Sequence, residues 1–475
     1  MANGLMNRLG GRAMVIPLVV ACAFFMETLD ATIIVTALPQ MAASFHIDAT
    51  RMSLGVTAYL MAAAVCVTAS GWMADRLGSR TLFCAAIGVF TLASMLCGAA
   101  PNFAVFVVAR AIQGAAAAMM SPVGRLVVLR TSEKKDLGRA LSALIWPGLL
   151  APVLGPPLGG FITEALSWRW IFYVNLPIGL LGILLVMIFV PNEKKAPKPF
   201  DAPGFLLTAA ALACLTYGLD LIGSRDRTML LYGLALLVVS TAIGWAALRH
   251  IRKAAHPLVD LGALRVRSFF VSSVTGGVIS RAAISATPFL LPLMFQLGFG
   301  LTPAQSGLLL LTYMAANLLM KLVTNPLMAR FGLRAVLVWN GLISGVAIAL
   351  CALIAPGGSA LLNGAVLALA GAGRSMQLTA ITMVNFADIQ PQHRQPASVL
   401  SSLTQQIGMG AGVAVGALLL TISQTVRGGQ QLEVADFRIA LILAGVLSMT
   451  AVLSYLTLSR DVGDEVSGHA RPKPA

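Results

Sequence analysis

The sequence predicts an all-α integral membrane protein whose chain crosses the bilayer fourteen times. Its composition is 58% hydrophobic and only 11% charged, and its mean hydropathy is +0.85. Such a chain has too little polar surface for a water-soluble fold of 475 residues. Its apolar residues also fall into runs separated by short polar loops. Lipid is therefore the expected solvent for most of the chain.

Apolar runs of about 20 residues, the length that a helix needs to cross about 30 Å of hydrocarbon, recur along the whole chain. Their approximate limits are 14–38, 52–74, 80–99, 102–124, 139–163, 168–190, 203–223, 229–248, 269–297, 303–327, 333–355, 359–386, 397–425 and 437–458. An even number of crossings places both termini on one side of the membrane.

The distribution of basic residues predicts which side that is. Of the 33 lysines and arginines, 23 lie in alternate segments that include Lys134 and Lys135, 6 lie in the other loops and 4 within apolar runs. Cytoplasmic loops carry the excess, so we expect both termini in the cytoplasm. A basic chain can bind nucleic acid, but these charges are spread over short loops. Membrane orientation explains them better.

Charged residues inside the apolar runs predict a transporter. A charge in hydrocarbon costs about 2.5 to 3.5 kcal/mol on insertion scales, and such residues usually line an ion or substrate path. An enzyme is not expected, because no His-Glu-x-x-His, Gly-x-Ser-x-Gly or Walker A sequence occurs. The six cysteines lie in apolar runs and form no Cys-x-x-Cys pair, so neither a disulfide framework nor a zinc site is indicated. No metal or cofactor is predicted. The charged residues within the runs are Glu27, Asp30, Arg110, Asp220, Arg281, Lys321 and Arg374.

Asp30 and Arg110 are predicted to lie at the same depth. Asp30 precedes Pro39 by nine residues and Arg110 follows Pro101 by nine, and both prolines mark outer ends of runs. At 1.5 Å per residue, both side chains lie about 13 Å below the outer surface and could pair. Burial favours the protonated form of a carboxyl and a guanidinium favours the ionised form, so Asp30 could carry a proton. The alternative is a purely structural ion pair. Glu27, on the same helix face, is a second proton carrier or a cation-binding group.

Two polar, proline-containing segments, 191–203 and 249–267, separate the runs into six, two and six. The predicted divisions are 1–195, 196–256, 257–460 and a cytoplasmic tail, 461–475. Arg76, Gly78 and Arg80 recur as Arg330, Gly332 and Arg334 at the same place in the second group of six. This predicts two halves related by an axis along the membrane normal, with the substrate path between them. Two unrelated basic turns are the alternative.

Five motifs resemble the major facilitator superfamily, and in particular its fourteen-helix drug:proton antiporters of the EmrB/QacA type. They are GWMADRLGSRTLF (71–83), VVARAIQGAAAA (107–118), GPPLGG (155–160), LDATIIVTALP (29–39) and WRWIFYVNLPIG (168–179). The resemblance implies the major facilitator fold, with two extra helices between its six-helix halves. It also implies a conformational latch at Asp75, Arg76, Gly78 and Arg80, and a gate shaped by Gly155, Pro156, Gly159 and Gly160. Helix packing is the alternative for the gate glycines, and a simple topological anchor is the alternative for Arg76 and Arg80.

The second half carries basic residues that no buried acid offsets. If Arg281 and Arg374 face the cavity, an anionic or zwitterionic substrate is as plausible as the cationic drugs that Glu27 and Asp30 suggest. Snorkelling of Lys321 and Arg281 toward the cytoplasm is the alternative, and Asp220 is expected at the interface. Substrate contacts or helix-to-helix hydrogen bonds are expected of the remaining polar residues. The substrate-binding candidates are Gln113, Arg281, Gln296, Asn317, Arg374 and Gln377.

The predicted protein is a bacterial inner-membrane antiporter that exchanges external protons for an amphipathic drug or metabolite. The alternatives are a proton-coupled importer of an organic anion or another small solute, and a transporter-like sensor. The expected partners are membrane lipids, protons and the small amphipathic substrate. The sequence leaves open whether a periplasmic adaptor and an outer-membrane channel complete the route.

Overall fold

The computed structural model describes residues 12–131, 137–192, 194, 199–222, 227–255, 257–390, 393–429 and 431–469. Every regular secondary-structure element in these residues is helical. The basic residues Lys134 and Lys135, and the predicted tail beyond His469, lie outside the described residues.

Fourteen helices of fifteen residues or more follow one another in the described chain. They are α1 (Arg12–Ile33), α2 (Ser53–Val67), α3 (Ser79–Ala99), α4 (Phe103–Thr131), α5 (Leu137–Ala165), α6 (Asn175–Phe189), α7 (Ala202–Ile222), α8 (Arg227–Lys253), α9 (Gly276–Leu293), α10 (Pro303–Phe331), α11 (Leu333–Leu350), α12 (Ala360–Ala387), α13 (Arg394–Arg427) and α14 (Val434–Tyr455). Shorter helices cover Leu38–Phe45, Ser70–Leu77, Trp170–Tyr173, Arg267–Phe270 and Asp464–Ser467. Two π-helical turns, Val271–Thr275 and Met294–Gly298, extend α9 at both ends.

Twelve helices of the described chain are long and apolar enough to cross a membrane. The helices α5 and α12 are 29 and 28 residues long but are not among these twelve. In α12, Asn363, Arg374 and Gln377 lower the mean hydropathy of the helix. The structure confirms an all-helical membrane fold with twelve candidate spans, whereas the predicted number of fourteen is not confirmed.

The end of the first span differs from the prediction. The helix α1 ends at Ile33, and a short turn, Ile34–Thr36, leads into the helix Leu38–Phe45. Pro39 lies in the first turn of that helix, where a missing backbone N–H costs no hydrogen bond. Pro39 therefore begins a new helix instead of ending the first one.

The same helix pairs pack together in the first six and the last six helices. In the first group α1 packs on α5 and α6, α2 packs on α4, and α3 packs on α4 and α6. In the last group α9 packs on α13 and α14, α10 packs on α12, and α11 packs on α12 and α14. Each partner in the second set lies eight helices after its counterpart, so the two groups share one packing plan.

The loop motif shared by the two groups adopts the same backbone conformation in both. Gly78 has φ +89° and Gly332 has φ +79°, and each glycine ends one helix and precedes the next. A side chain at either position would be strained, because L residues rarely adopt this left-handed region. The recurrence of glycine at this point of the motif therefore has a local structural reason.

The two groups of six meet along α2 with α13 and along α5 with α10. At one end, a single apolar cluster joins residues of α1, such as Ile33, to residues of α9, such as Leu290. Toward the other end, one cluster draws its buried residues from 15–190 and another from 271–462. The groups are thus joined through a shared core at the end that the charge distribution predicts to face outward.

The helices α7 and α8 form a hairpin beside this bundle. The helix α7 packs on α2 and α13, one from each group, whereas only 6% of the apolar stretch of α8 is buried. An apolar cavity of about 680 Å³ lies where α7 meets α2 and α4, with Phe103, Leu212 and Tyr217 among its walls. The hairpin therefore contacts both groups through α7, and most of the surface of α8 is exposed.

Candidate functional site

Asp30 lies at the centre of the first group, enclosed by three side-chain donors. Arg110 Nη1 donates to Asp30 Oδ2 at 2.7 Å, and Gln113 Nε2 and Asn175 Nδ2 each donate to Asp30 Oδ1 at 2.8 Å. All four side chains are at most 1% exposed. Both carboxylate oxygens accept hydrogen bonds, so this arrangement suits a buried negative charge. We call these four residues the Asp30 cluster.

Arg110 is held from several directions. Its Nη1 also donates to Gln113 Oε1 at 2.6 Å, and its guanidinium carbon lies 4.3 Å from the centre of the Tyr59 ring on α2. The spacing of Arg110 and Gln113 by three residues puts both on one face of α4. The pairing of Asp30 with Arg110 thus links α1 to α4, with α2 supporting the guanidinium.

Asn175 is the member of this cluster that sequence reasoning missed. Its Nδ2 bridges Asp30 Oδ1 and Ser94 Oγ, the latter at 2.9 Å, and Ser94 Oγ donates to the carbonyl of Phe172 at 2.9 Å. Asn175 begins α6, 145 residues after Asp30. The available signal was a single amide within the apolar sequence WRWIFYVNLPIG, where a buried polar group needs a partner.

Glu27 lies outside the Asp30 cluster. Its Oε2 accepts a hydrogen bond from Ser121 Oγ on α4 at 2.8 Å, and the side chain is half-buried. Arg125, one turn after Ser121, is close enough for its positive charge to act on Glu27. The two carboxyls of α1 thus have different surroundings, because Asp30 is sealed and Glu27 is partly open.

The residues of the predicted latch lie on the helix Ser70–Leu77 and at the start of α3. Asp75 is half-buried and Arg76 is exposed, with its guanidinium 5.1 Å from the Trp72 ring centre. A Cβ on Gly78 would lie 2.2 Å from Asn192 Oδ1, so this glycine packs against the chain that follows α6. Arg80 is half-buried at the beginning of α3.

The sequence GPPLGG lies where α5 crosses two helices. A Cβ on Gly155 would lie 2.3 Å from Thr32 Oγ1, and one on Gly159 would lie 2.2 Å from the carbonyl oxygen of Ile33. On the other side, a Cβ on Gly160 would lie 2.2 Å from the carbonyl oxygen of Pro303. The glycines therefore let α5 approach α1 of its own group and α10 of the other group.

Pro156 takes part in both of these close approaches. Its carbonyl accepts a hydrogen bond from Thr36 Oγ1 at 3.3 Å. A Cβ on Gly307 of α10 would lie 2.4 Å from the same carbonyl oxygen.

Gln296 and Gln377 bond to other helices. Gln296 Nε2 donates to the carbonyl of Thr36 at 2.8 Å, and Gln40 Nε2 donates to Gln296 Oε1 at 2.9 Å. Gln377 Oε1 accepts from Asn340 Nδ2 at 2.8 Å. In this conformation Gln296 therefore joins the two groups at the predicted outer end, and Gln377 joins α12 to α11.

The predicted cations of the second group lie on three different helices. Arg281 of α9 is 2% exposed and donates to the carbonyl of Ser272 at 3.4 Å. Lys321 and Asn317 of α10 and Arg374 of α12 are half-buried. Asp220 of α7 is also half-buried, beside Arg51 in a small pocket between α2, α7 and α13. The structure does not bring Asp220 into the Asp30 cluster.

The side chains of the Asp30 cluster are suited to holding a charge or a proton. A carboxyl enclosed by a guanidinium and two amides can hold either a negative charge or a proton, and the two states differ in their attraction for Arg110. In the described residues, no group of three or more histidine, cysteine or acidic side chains could hold a metal ion.

The chain is similar to known transport proteins over most of its length. Residues 20–255 and 273–474 match the family model of the Major Facilitator Superfamily. The chain is 35% identical over 408 residues to multidrug resistance protein MdtD of Pectobacterium atrosepticum, covering 85% of this chain and 86% of that protein. It is 32% identical to transport protein HsrA of Haemophilus influenzae, covering 96% and 97%.

Solved structures share the fold at low sequence identity. A D-xylose-proton symporter matches with a TM-score of 0.67 and 13% identity over 94% of this chain and 98% of that one. A POT family peptide transporter matches with a TM-score of 0.66 and 16% identity over 94% and 96%. These structures agree with the helix packing described above. On the family match and the two relatives, the chain belongs to the major facilitator superfamily and is a multi-pass membrane transporter, not an enzyme.

Proposed function

We propose that this transporter exports an amphipathic drug or metabolite from the cytoplasm in exchange for external protons, and that Asp30 carries the proton. The observation that supports this most directly is the Asp30 cluster, because a sealed carboxyl paired with a guanidinium on a neighbouring helix can couple a proton to helix position. The name of the relative MdtD, a multidrug resistance protein, supports a drug-like cargo.

Protonation would act through Arg110. A proton on Asp30 removes the negative charge that now lies 2.7 Å from Arg110 Nη1 and leaves a buried guanidinium without its counter-ion. An unpaired buried charge is strongly unfavourable, so α1 and α4 would rearrange until the guanidinium finds water or another partner. Loss of the proton to the cytoplasm would restore the pair. Glu27 would serve as a second proton carrier or as a cation-binding group.

Alternating access would close and open the contacts between the two groups of helices. Gln296, Gln40 and Thr36 join the groups at the predicted outer end, so the described conformation would be the state closed to the outside. The glycines and prolines of 155–160 would let α5 slide against α1 and α10 as the gate opens. Asp75, with Arg76, Gly78 and Arg80, would act as the latch that holds one conformation.

The membrane arrangement that fits this mechanism has fourteen spans. We propose that α5 and α12 cross the bilayer with the other twelve, because each packs along a candidate span of its own group. The halves would be 1–195 and 257–460, with the helices of 196–256 between them and both termini in the cytoplasm. In a bacterial inner membrane, a periplasmic adaptor and outer-membrane channel would act only after release on the outer side.

The test is proton movement in proteoliposomes containing the purified protein. Adding a panel of amphipathic compounds should cause proton flux with wild type and none with Asp30→Asn. Asp48→Asn is the matched control, because the same substitution is made in an exposed loop. Coupled flux at the wild-type rate in Asp30→Asn would exclude the proposed role of Asp30, and flux in the symport direction would indicate an importer.

A further inference from the structure

The second group of helices has three basic residues inside its apolar runs, Arg281, Lys321 and Arg374, and almost no acid. Asp436 is the only acidic residue in the helices α9 to α14, and its Oδ2 already accepts a hydrogen bond from Arg427 at 2.8 Å. Within the described chain, Arg281, Lys321 and Arg374 form no ion pair. Cations in a membrane-embedded bundle are costly unless something neutralises them, so these residues point to a counter-ion that comes from outside the chain.

Arg374 occupies a setting that resembles that of Arg110. Tyr59 precedes Arg76 by seventeen residues, and Tyr313 precedes Arg330 by the same number in the second copy of the loop motif. The guanidinium of Arg110 lies 4.3 Å from the Tyr59 ring centre, and that of Arg374 lies 6.0 Å from the Tyr313 ring centre. Both groups thus place an arginine over the equivalent tyrosine.

Only the first group supplies a carboxylate to its arginine. Asp30 lies against Arg110, whereas Arg374 Nη1 is buried and has no hydrogen-bond partner among the described residues. A buried donor without a partner loses free energy that a bound ligand could restore. In the second group, no carboxylate of the described chain takes the position beside Arg374 that Asp30 takes beside Arg110.

Further donors lie next to Arg374 along one face of α10. Tyr313, Asn317 and Lys321 follow one another at intervals of four residues, which puts them on the same side of the helix. Lys321 Nζ lies 3.5 Å from Thr379 Oγ1 of α12, and the charge of Arg374 acts on Lys321. A guanidinium, an ammonium and an amide thus border the same stretch of the contact between α10 and α12.

Lys321 and Arg374 both direct their side chains into the contact between α10 and α12. Lys321 Nζ lies 3.5 Å from Thr379 Oγ1 of α12, and the guanidinium carbon of Arg374 lies 6.0 Å from the ring centre of Tyr313 of α10. Arg281, at 2% exposure, is enclosed as well and adds its positive charge to the same group of helices.

We propose that the exported substrate carries an anionic group, such as a carboxylate or sulfonate, that binds between Arg374 and Lys321. The proposal rests on the export function proposed above and specifies the substrate class for it. The planar guanidinium of Arg374 can hold two oxygens of such a group, and Lys321 supplies a second positive charge. Asn317 lies between them on α10 as a neutral donor, and the apolar part of the substrate would lie against the surrounding helices.

Three probes with one apolar body and different headgroups test this. A carboxylate, an uncharged amide and a quaternary ammonium probe would be titrated against the purified protein by fluorescence. Wild type should bind the carboxylate probe best. Arg374→Gln and Lys321→Gln should each weaken carboxylate binding about 10- to 100-fold, the effect of losing a hydrogen bond to a charged group, and leave amide binding within about threefold. Lys253→Gln, which removes an exposed positive charge from α8, should change none of the three.

Two results would overturn the proposal. The first is a wild-type protein that binds the carboxylate probe no more tightly than the amide probe, a measurement that needs no variant. The second is a Gln variant that loses affinity for all three probes equally. Arg374→Lys, which keeps the charge, should retain most of the preference and guards against loss of folding in Arg374→Gln. Proton flux in proteoliposomes is a separate readout, so failure of the export function is distinguishable from failure of the substrate class.

Discussion

Replacing Gln296 with leucine should shift the protein toward the conformation that is open to the outside. Gln296 Nε2 donates to the Thr36 carbonyl at 2.8 Å, and Gln296 Oε1 accepts from Gln40 Nε2 at 2.9 Å. Both bonds connect one group of six helices to the other at the predicted outer end. In the open conformation the side chains of Gln296 and Gln40 and the carbonyl of Thr36 would form hydrogen bonds with water instead. The substitution therefore destabilises only the closed conformation.

The size of the shift follows from the number of bonds lost. Each neutral hydrogen bond contributes about 0.5 to 1.5 kcal/mol net, so the loss of two costs the closed conformation about 1 to 3 kcal/mol. That range corresponds to a change of about 5- to 150-fold in the ratio of open to closed protein. Gln40→Leu removes one of the two bonds and should give about half of this free-energy change.

The assay is a distance distribution between spin labels at Ser44 and Leu361, both exposed, in a protein whose native cysteines have been replaced. Gln296→Leu should transfer population from the short to the long distance. Gln405→Leu is the matched control, because this exposed glutamine lies on α13 and makes the same chemical change. An unchanged distribution in Gln296→Leu would refute the reasoning, since the two bonds would then contribute nothing to closure.

Three further predictions concern the Asp30 cluster, the helix crossing and the latch. Asn175→Leu removes a donor 2.8 Å from Asp30 and should slow coupled transport about 10- to 100-fold, measured as proton flux; a wild-type rate would show that this donor is dispensable. Gly159→Ala should lower the melting temperature in detergent, because the new Cβ would lie 2.2 Å from the backbone oxygen of Ile33. Gly148→Ala is the control and should leave the melting temperature unchanged, because no atom lies within 4 Å of its Cβ position; equal melting temperatures for the two variants would contradict the packing argument. Asp75→Asn should slow turnover with near-normal substrate binding, and lost binding at unchanged turnover would exclude the latch.

The pairing of Asp30 with Arg110 could be predicted from the sequence. Counting nine residues from Pro39 and from Pro101 placed Asp30 and Arg110 level, and the two side chains are 2.7 Å apart. The count succeeded because the rise per residue is nearly constant along a helix. The count gave the right pairing although Pro39 lies in a separate short helix, because the turn that interrupts the helix, Ile34–Thr36, is short.

Rotation about the helix axis and the identity of the neighbours could not be predicted in the same way. Gln113, Gln296 and Gln377 had the same status in the sequence, as amides in apolar runs, yet one holds Asp30, one joins the two groups and one joins two helices within a group. The partner that each glutamine binds can lie as far as 260 positions away in the sequence. Asn175 was missed for the same reason.

By itself, the sequence determined that this is an all-helical membrane transporter with a repeated plan. Hydropathy, charge bias and the paired loop motifs are local properties, so they predict membrane helices and a repeat directly, whereas the predicted number of fourteen spans is not confirmed. Only the tertiary structure decided that Asp30 is enclosed by three donors, while Arg374 over its equivalent tyrosine has no carboxylate beside it. That contrast depends on which helices touch, and contacts between helices distant in sequence are fixed by packing of the whole bundle.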